Sequence, residues 1–229
     1  MPIPTPVNAP LPTPATAAAD VVDSLRLVQL VAYLQSDLYS RALAATGFIP
    51  TADAAVFTRL NQMEVLHVAN LTTLIAARQG APVVKPTFDF TGKGAVPGFA
   101  FVPAQYETFR MLAQAFEDLG VRAYKGQAQA LLADKVALTA LFAMQSAEGR
   151  HAAEVRRIRG RKGWITANSP DDLPAFAQAI YAGEEVTTQG SVNVASTIAS
   201  TGGAAAASQA FDEPLSTAQV TAIVTPFIA

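Results

Sequence analysis

A helical hairpin occurs twice in this chain, and the duplication restricts the folds open to it. His67 and His151 are the only histidines among 229 residues, and each stands three places after a glutamate, Glu64 and Glu148. Positions i and i+3 share a helix face, so each pair points a carboxylate and an imidazole in one direction. Tyr39 lies 28 residues before His67, and Tyr124 lies 27 before His151. Seven residues before Tyr124, two helical turns back, is Glu117, which is 31 residues ahead of Glu148. Seven before Tyr39 is Ala32, 32 residues ahead of Glu64. The two halves superimpose within one residue, with one departure: Ala32 stands where the other half has Glu117.

Amphipathic patterning supplies the four helices that such a repeat needs. The first is predicted from residue 20 to Gly47, with Asp20 or Asp23 as N-cap. The second runs from Thr51, a candidate cap, to a stop at Gly80. The third starts near Pro103, a residue suited to a first helical turn, and continues to about Leu131. The fourth runs from Asp134 to Gly160. Short links join the first two helices and the last two, which makes each pair antiparallel. Residues 81–102, rich in Pro, Gly and Phe, form the long link and are expected to hold their own aromatic cluster. Four helices joined short–long–short describe an all-α four-helix bundle with one long crossover between helices 2 and 3.

Two segments flank the bundle, which is expected over residues 20–162. Six prolines within the first fourteen residues make 1–19 an extended arm. Residues 163–229 form a loop-rich tail with short helices. Ser169-Pro170-Asp171-Asp172 is expected to start one of them, residues 186–211 are uncharged, and a short amphipathic segment ends the chain.

Charge and composition exclude several functions. No cysteine is present, so disulfides, iron–sulfur clusters, thiolate zinc sites and cysteine nucleophiles are ruled out. A net charge of −2 gives no bulk attraction to nucleic acid. All sixteen basic residues lie at or before Lys162, against twelve acids, a net +4. The remainder has six acids and no base, a net −6. The basic run from Arg150 to Lys162 is therefore expected to complement the end of the fourth helix and meet the acidic tail. No apolar run approaches the ~18 residues of a membrane span. No signal peptide is expected, the first basic residue being Arg26.

The duplicated frame brings chemistry to the centre of the bundle. Two-fold related hairpins converge one glutamate from each of two helices and Glu-x-x-His from each of the other two, the pattern of a carboxylate-bridged dinuclear metal site. Five of six ligands are present: Glu64, His67, Glu117, Glu148 and His151. With three carboxylates in place of four, two divalent ions leave one positive charge uncompensated among apolar helices. One ion rather than two is expected, on the side of Glu117, Glu148 and His151 with help from Glu64. Gln35, one turn beyond Ala32, is a candidate poor ligand, and Asp37 is a worse one. Tyr39 and Tyr124 are candidates for hydrogen bonds to ligand carboxylates. The plainer reading makes both tyrosines core aromatics and both histidines ordinary buried residues.

These stretches resemble the ferritin-like superfamily, in particular the bacterial and fungal group that includes desiccation-related proteins. AFEDLGVRAYKGQA, around Glu117 and Tyr124, is similar to that group's third helix, and SAEGRHAAEVRRIRG, around Glu148 and His151, to its fourth. YLQSDLYSRAL is similar to the first helix and AFDEPLSTAQVTAIVTPFI to the C-terminal end. The resemblance implies a ferritin-like four-helix bundle in which Glu64 and Glu148 bridge two metals. Glu117 and His151 complete one metal position, and His67 with a helix 1 glutamate completes the other. It implies iron or manganese as cofactor, reacting with dioxygen or peroxide, and a periplasmic or extracellular location reached through a removed leader; otherwise the protein is cytoplasmic. The rival expectation is a bundle without bound metal, a structural or stress-protection protein. In either case a homo-oligomer is expected, and in the rival case the tails also serve a protein partner.

Overall fold

The computed structural model describes residues 14–229. Four helices make the bundle: α1 (Pro14–Ala44), α2 (Thr51–Ala76), α3 (Tyr106–Gln127) and α4 (Lys135–Ile158). The pairs α1–α2 and α3–α4 pack closely, α1 also packs on α3, and α2 meets α4 more loosely. The crossover between α2 and α3 contains a single 3-10 turn at Gly92–Gly94 before a second at Pro103–Gln105 leads into α3. The predicted all-α bundle with one long crossover is therefore the observed architecture. No helix among the described residues is long and apolar enough to cross a membrane.

Each helix forms because its buried positions recur every three or four residues. On α2 these are Phe57, Leu60, Glu64, His67, Leu71 and Ile75. On α4 they include Leu141, Met144, Glu148, His151 and Val155. The polar Glu-x-x-His pairs occupy the middle of each apolar stripe, so folding carries them into the core. On α3 every residue from Leu112 to Tyr124 is buried, because the tail covers the side turned away from the other helices.

The tail comprises α5 (Gln178–Tyr181), a hairpin of β1 (Thr188–Gln189) and β2 (Val192–Asn193), α6 (Val194–Thr197), α7 (Gly203–Ala210) and α8 (Thr217–Val224). Two buried charged residues on α3, Asp118 and Arg122, hold it in place. Asp118 takes a forked pair of hydrogen bonds from Arg156 and one of 2.5 Å from the Tyr181 hydroxyl. Arg122 pairs with Glu184 at 2.6 Å and donates to the carbonyls of Ile180, Ala182 and Glu213. The Leu215 amide donates to the Arg122 carbonyl at 3.1 Å. That approach needs Gly126, where a Cβ would overlap the Leu215 carbonyl. A reciprocal capping box, Ser216 with Gln219, starts α8. α8 lies on α1 and α3, and Phe227 packs edge-on against Phe116 at 5.0 Å. The closing amphipathic segment thus spends its apolar face on its own bundle.

Several local expectations are corrected. α1 begins at Pro14, six residues before Asp20, because ATAAA is strongly helix-forming and proline suits a first turn. Asp23 instead pairs with Arg26 at 3.2 Å. Residues 14–19 thereby belong to α1, and the rest of the expected proline-rich arm lies outside the described residues. Pro50, not Thr51, occupies the N-cap of α2, without a side-chain cap. Ser169–Asp172 is a turn with Asp171 at positive φ, and the helical segment starts only at Ala175. Its acids are drawn to the basic end of α4: Asp172 pairs with Arg159 and Arg161, and Asp171 with Arg156. The four crossover phenylalanines do cluster as expected, Phe88 on Phe90, Phe90 on Phe101 and Phe101 on Phe99, and the cluster merges with the main core through Phe116 and Phe48. The chain end closes over this loop through Asp89 N–H to the Phe227 carbonyl at 2.8 Å and Ala229 N–H to the Thr87 carbonyl at 2.9 Å.

Asp134 caps α4, accepting from the Ala137 amide at 3.0 Å, and also receives Arg78 in a forked pair at 2.6 and 2.7 Å. The Arg78 hydrogen bonds hold its carboxyl below the usual range. Asp134→Ala is expected to cost about 1–2 kcal/mol in urea denaturation at neutral pH, the cap plus a share of the pair. A depressed carboxyl contributes stability above its unfolded pKa and loses it as the pH falls, so the gap between variant and wild type should narrow below about pH 4.

Candidate metal centre

α2 and α4 deliver their glutamates and histidines at mid-length, and α3 adds Glu117 from the facing side. Ligand atoms of Glu64, Glu117, Glu148 and His151 all lie within 4.8 Å of one another. The His151 Nδ1 is 2.8 Å from Glu64 Oε1 and 3.7 Å from Glu117 Oε2. His67 stands to one side of this group, its Nδ1 3.1 Å from Glu64 Oε2 and 3.0 Å from Glu148 Oε1. The two imidazoles are roughly parallel, with centroids 5.9 Å apart. All five residues are buried.

Electrostatics make this a strained arrangement. Burial, then repulsion from Glu148 and Glu64, push the Glu117 carboxyl well above the usual range. Burial and Glu64 raise Glu148. Burial also pushes Glu64 upward, but contacts with His151 and then His67 outweigh it and leave this carboxyl below its ordinary value. Burial lowers His67, but its close contacts with Glu148 and Glu64 win and push it up to about 10. Glu64 Oε1, Glu148 Oε1 and His151 Nδ1 have no aligned hydrogen-bond partner among the described residues, despite the close approach of His151 and Glu64. Together with Glu117, these side chains converge on a common centre. Carboxylate oxygens and imidazole nitrogens suit iron, manganese or zinc. These residues fit a metal cation.

The surroundings differ between the two halves of the repeat. Tyr39 donates a hydrogen bond to Glu117 Oε1. Its repeat partner Tyr124 is also fully buried, but its hydroxyl has no partner among the described residues. Ala32 explains the difference. It lies in the same apolar cluster as Tyr124, at the position where the repeat would place a carboxylate to accept that hydroxyl. Gln35 faces the cluster with its amide NH2 and not its oxygen, donating to Glu148 Oε2 at 2.7 Å, Glu117 Oε2 at 3.3 Å and the Phe116 carbonyl at 3.2 Å. It acts here as a donor that steadies two carboxylates. Asp37 turns away and pairs with Arg41 and Lys85.

One residue of the site was not recognised in the sequence. Gly120 lies one turn after Glu117, and a Cβ there would overlap Glu148 Oε2. A glycine in mid-helix on the ligand face was the available signal, since glycine costs about 1 kcal/mol against alanine in a helix interior.

Inward carboxylates and imidazoles on a crossover-linked bundle define the class of protein: a four-helix carboxylate bundle. The family model described as ferritin-like domain matches residues 20–161, and the chain belongs to that family. A search of the curated proteins finds no match.

Two tyrosine variants test the asymmetry. Tyr124→Phe removes an unsatisfied buried hydroxyl and is expected to leave stability unchanged or raise it by about 1 kcal/mol, whereas Tyr39→Phe strands Glu117 and should cost about 1–3 kcal/mol, both read by urea denaturation.

Proposed function

We propose that the chain binds a single iron or manganese ion in an unequal carboxylate–histidine centre and uses it in redox chemistry with dioxygen or peroxide, in stress protection. One observation carries the reading: four ligand atoms from three helices converge within 4.8 Å inside a buried core. Glu64, Glu117, Glu148 and His151 would hold the ion. A bound iron or manganese ion supplies one-electron exchange at this place. The protein residues keep water out, fix the carboxylates and balance the charge. Tyr39 and Gln35 orient Glu117 and Glu148. Glu64 touches both imidazoles and so links the two halves of the cluster.

Ala32 and His67 support one ion in place of two. The second position lacks its α1 carboxylate, and His67 Nδ1 lies within 3.1 Å of the two glutamates that would otherwise be shared there. A second reading, a bundle that has lost metal chemistry and serves as a structural stress-protection protein, is favoured by the same two residues.

Elemental analysis after anaerobic loading with iron(II) or manganese(II) is expected to find about one ion per chain, and about none in Glu148→Ala or His151→Ala. Ala32→Glu restores the missing carboxylate opposite the Tyr124 hydroxyl and should raise the count toward two. Two tightly held ions in the wild type would overturn the unequal centre. An empty wild type with no peroxide turnover would favour the structural reading.

A further inference from the structure

Between α2 and α4, where the two helices pack loosely, lies a cavity of about 320 Å3. Arg59, Leu60 and Met63 line it from α2, and Arg150, His151 and Glu154 from α4. It therefore meets the buried cluster through His151. His151 is 7% exposed while Glu64, Glu117 and Glu148 are 0% exposed, so its ring stands between solvent and the acids.

The charges at this cavity are unbalanced. Arg59 and Arg150 are exposed and form no ion pair with any described residue. Residues 1–13 contain no acid that could pair with them. Glu154, the one acid of the lining, is engaged by Arg157 at 3.0 Å. Leu60 and Met63 give the two guanidiniums an apolar surround, and guanidiniums match the planar oxygens of carboxylate and phosphate groups. A bare metal cation is repelled at such a mouth, whereas an anion is drawn in until the buried carboxylates behind His151 oppose it.

We propose that this cavity is a binding site for small oxyanions, held by Arg59 and Arg150, and that an anion bound there occupies the entrance to the cluster. The entrance role rests on the metal-centre reading; the anion site does not. Its ligand class is a small phosphate or carboxylate anion that fits the cavity in front of His151.

Isothermal titration of the metal-free full chain with inorganic phosphate at low ionic strength tests the site. Saturable binding is expected, weakened at least about tenfold in Arg59→Gln/Arg150→Gln, equivalent to about 1.4 kcal/mol. Phosphate should also slow carbethoxylation of His151, mapped by mass spectrometry, in the wild type and not in the double variant. The proposal is overturned if the wild type shows no saturable binding, if the variant binds within about twofold of it, or if phosphate leaves His151 equally reactive in the wild type. Metal content after loading is read on the same two proteins and should be equal. If neither holds metal while phosphate still binds through the arginines, the metal-centre reading fails and the anion site stands.

Discussion

Three carboxylates shut away from water at the centre of a bundle are the constraint on which this structure turns. Glu64, Glu117 and Glu148 are fully buried, at positions where the helical period demands apolar residues. Isolated ionised carboxylates in such a place are prohibitively costly, so charge must be matched or removed. The chain supplies His67 and His151 against them, with Tyr39 and Gln35 as donors. Even so, Glu117 and Glu148 are driven upward by burial and mutual repulsion. A core assembled this way gains from a cation.

The outer face of α3 meets a related requirement by different means. Asp118 and Arg122 are buried, yet each is paired and hydrogen-bonded by partners from α4 and the tail. Breaking a buried pair leaves one charge uncompensated, so such contacts favour one placement of the tail over its alternatives. The inner row of α3 lines the candidate metal centre and the outer row fixes the tail. Gly120 and Gly126 provide the close approaches on these two sides.

Asymmetry follows from one position. Were Ala32 a glutamate, the repeat would offer two equivalent halves. As it stands, Tyr39 has an acceptor and Tyr124 has none, and four ligand atoms gather on one side while His67 braces the other. The loosely packed α2–α4 side then gives the His151 half an approach from solvent, bordered by Arg59 and Arg150.

The bundle, its crossover and the inward direction of the five candidate ligands could be read from the residues because the information is local. A three-residue spacing puts Glu64 and His67 on one helix face whatever the rest of the chain does. The repeat then brought the two hairpins together, and Ala32 marked the unequal half. Other features depend on neighbours far along the chain. Asp171 and Asp172 form a turn and not a helix start because Arg156, Arg159 and Arg161 are within reach. Gly120 matters only because Glu148 crosses it, and Gln35 turns its NH2 inward because two carboxylates and a carbonyl await it. The sequence by itself determined which side chains face the centre, since helical periodicity sets direction. Only the tertiary structure decided which of them meet, because distances between helices arise from packing over many residues and no local spacing encodes them.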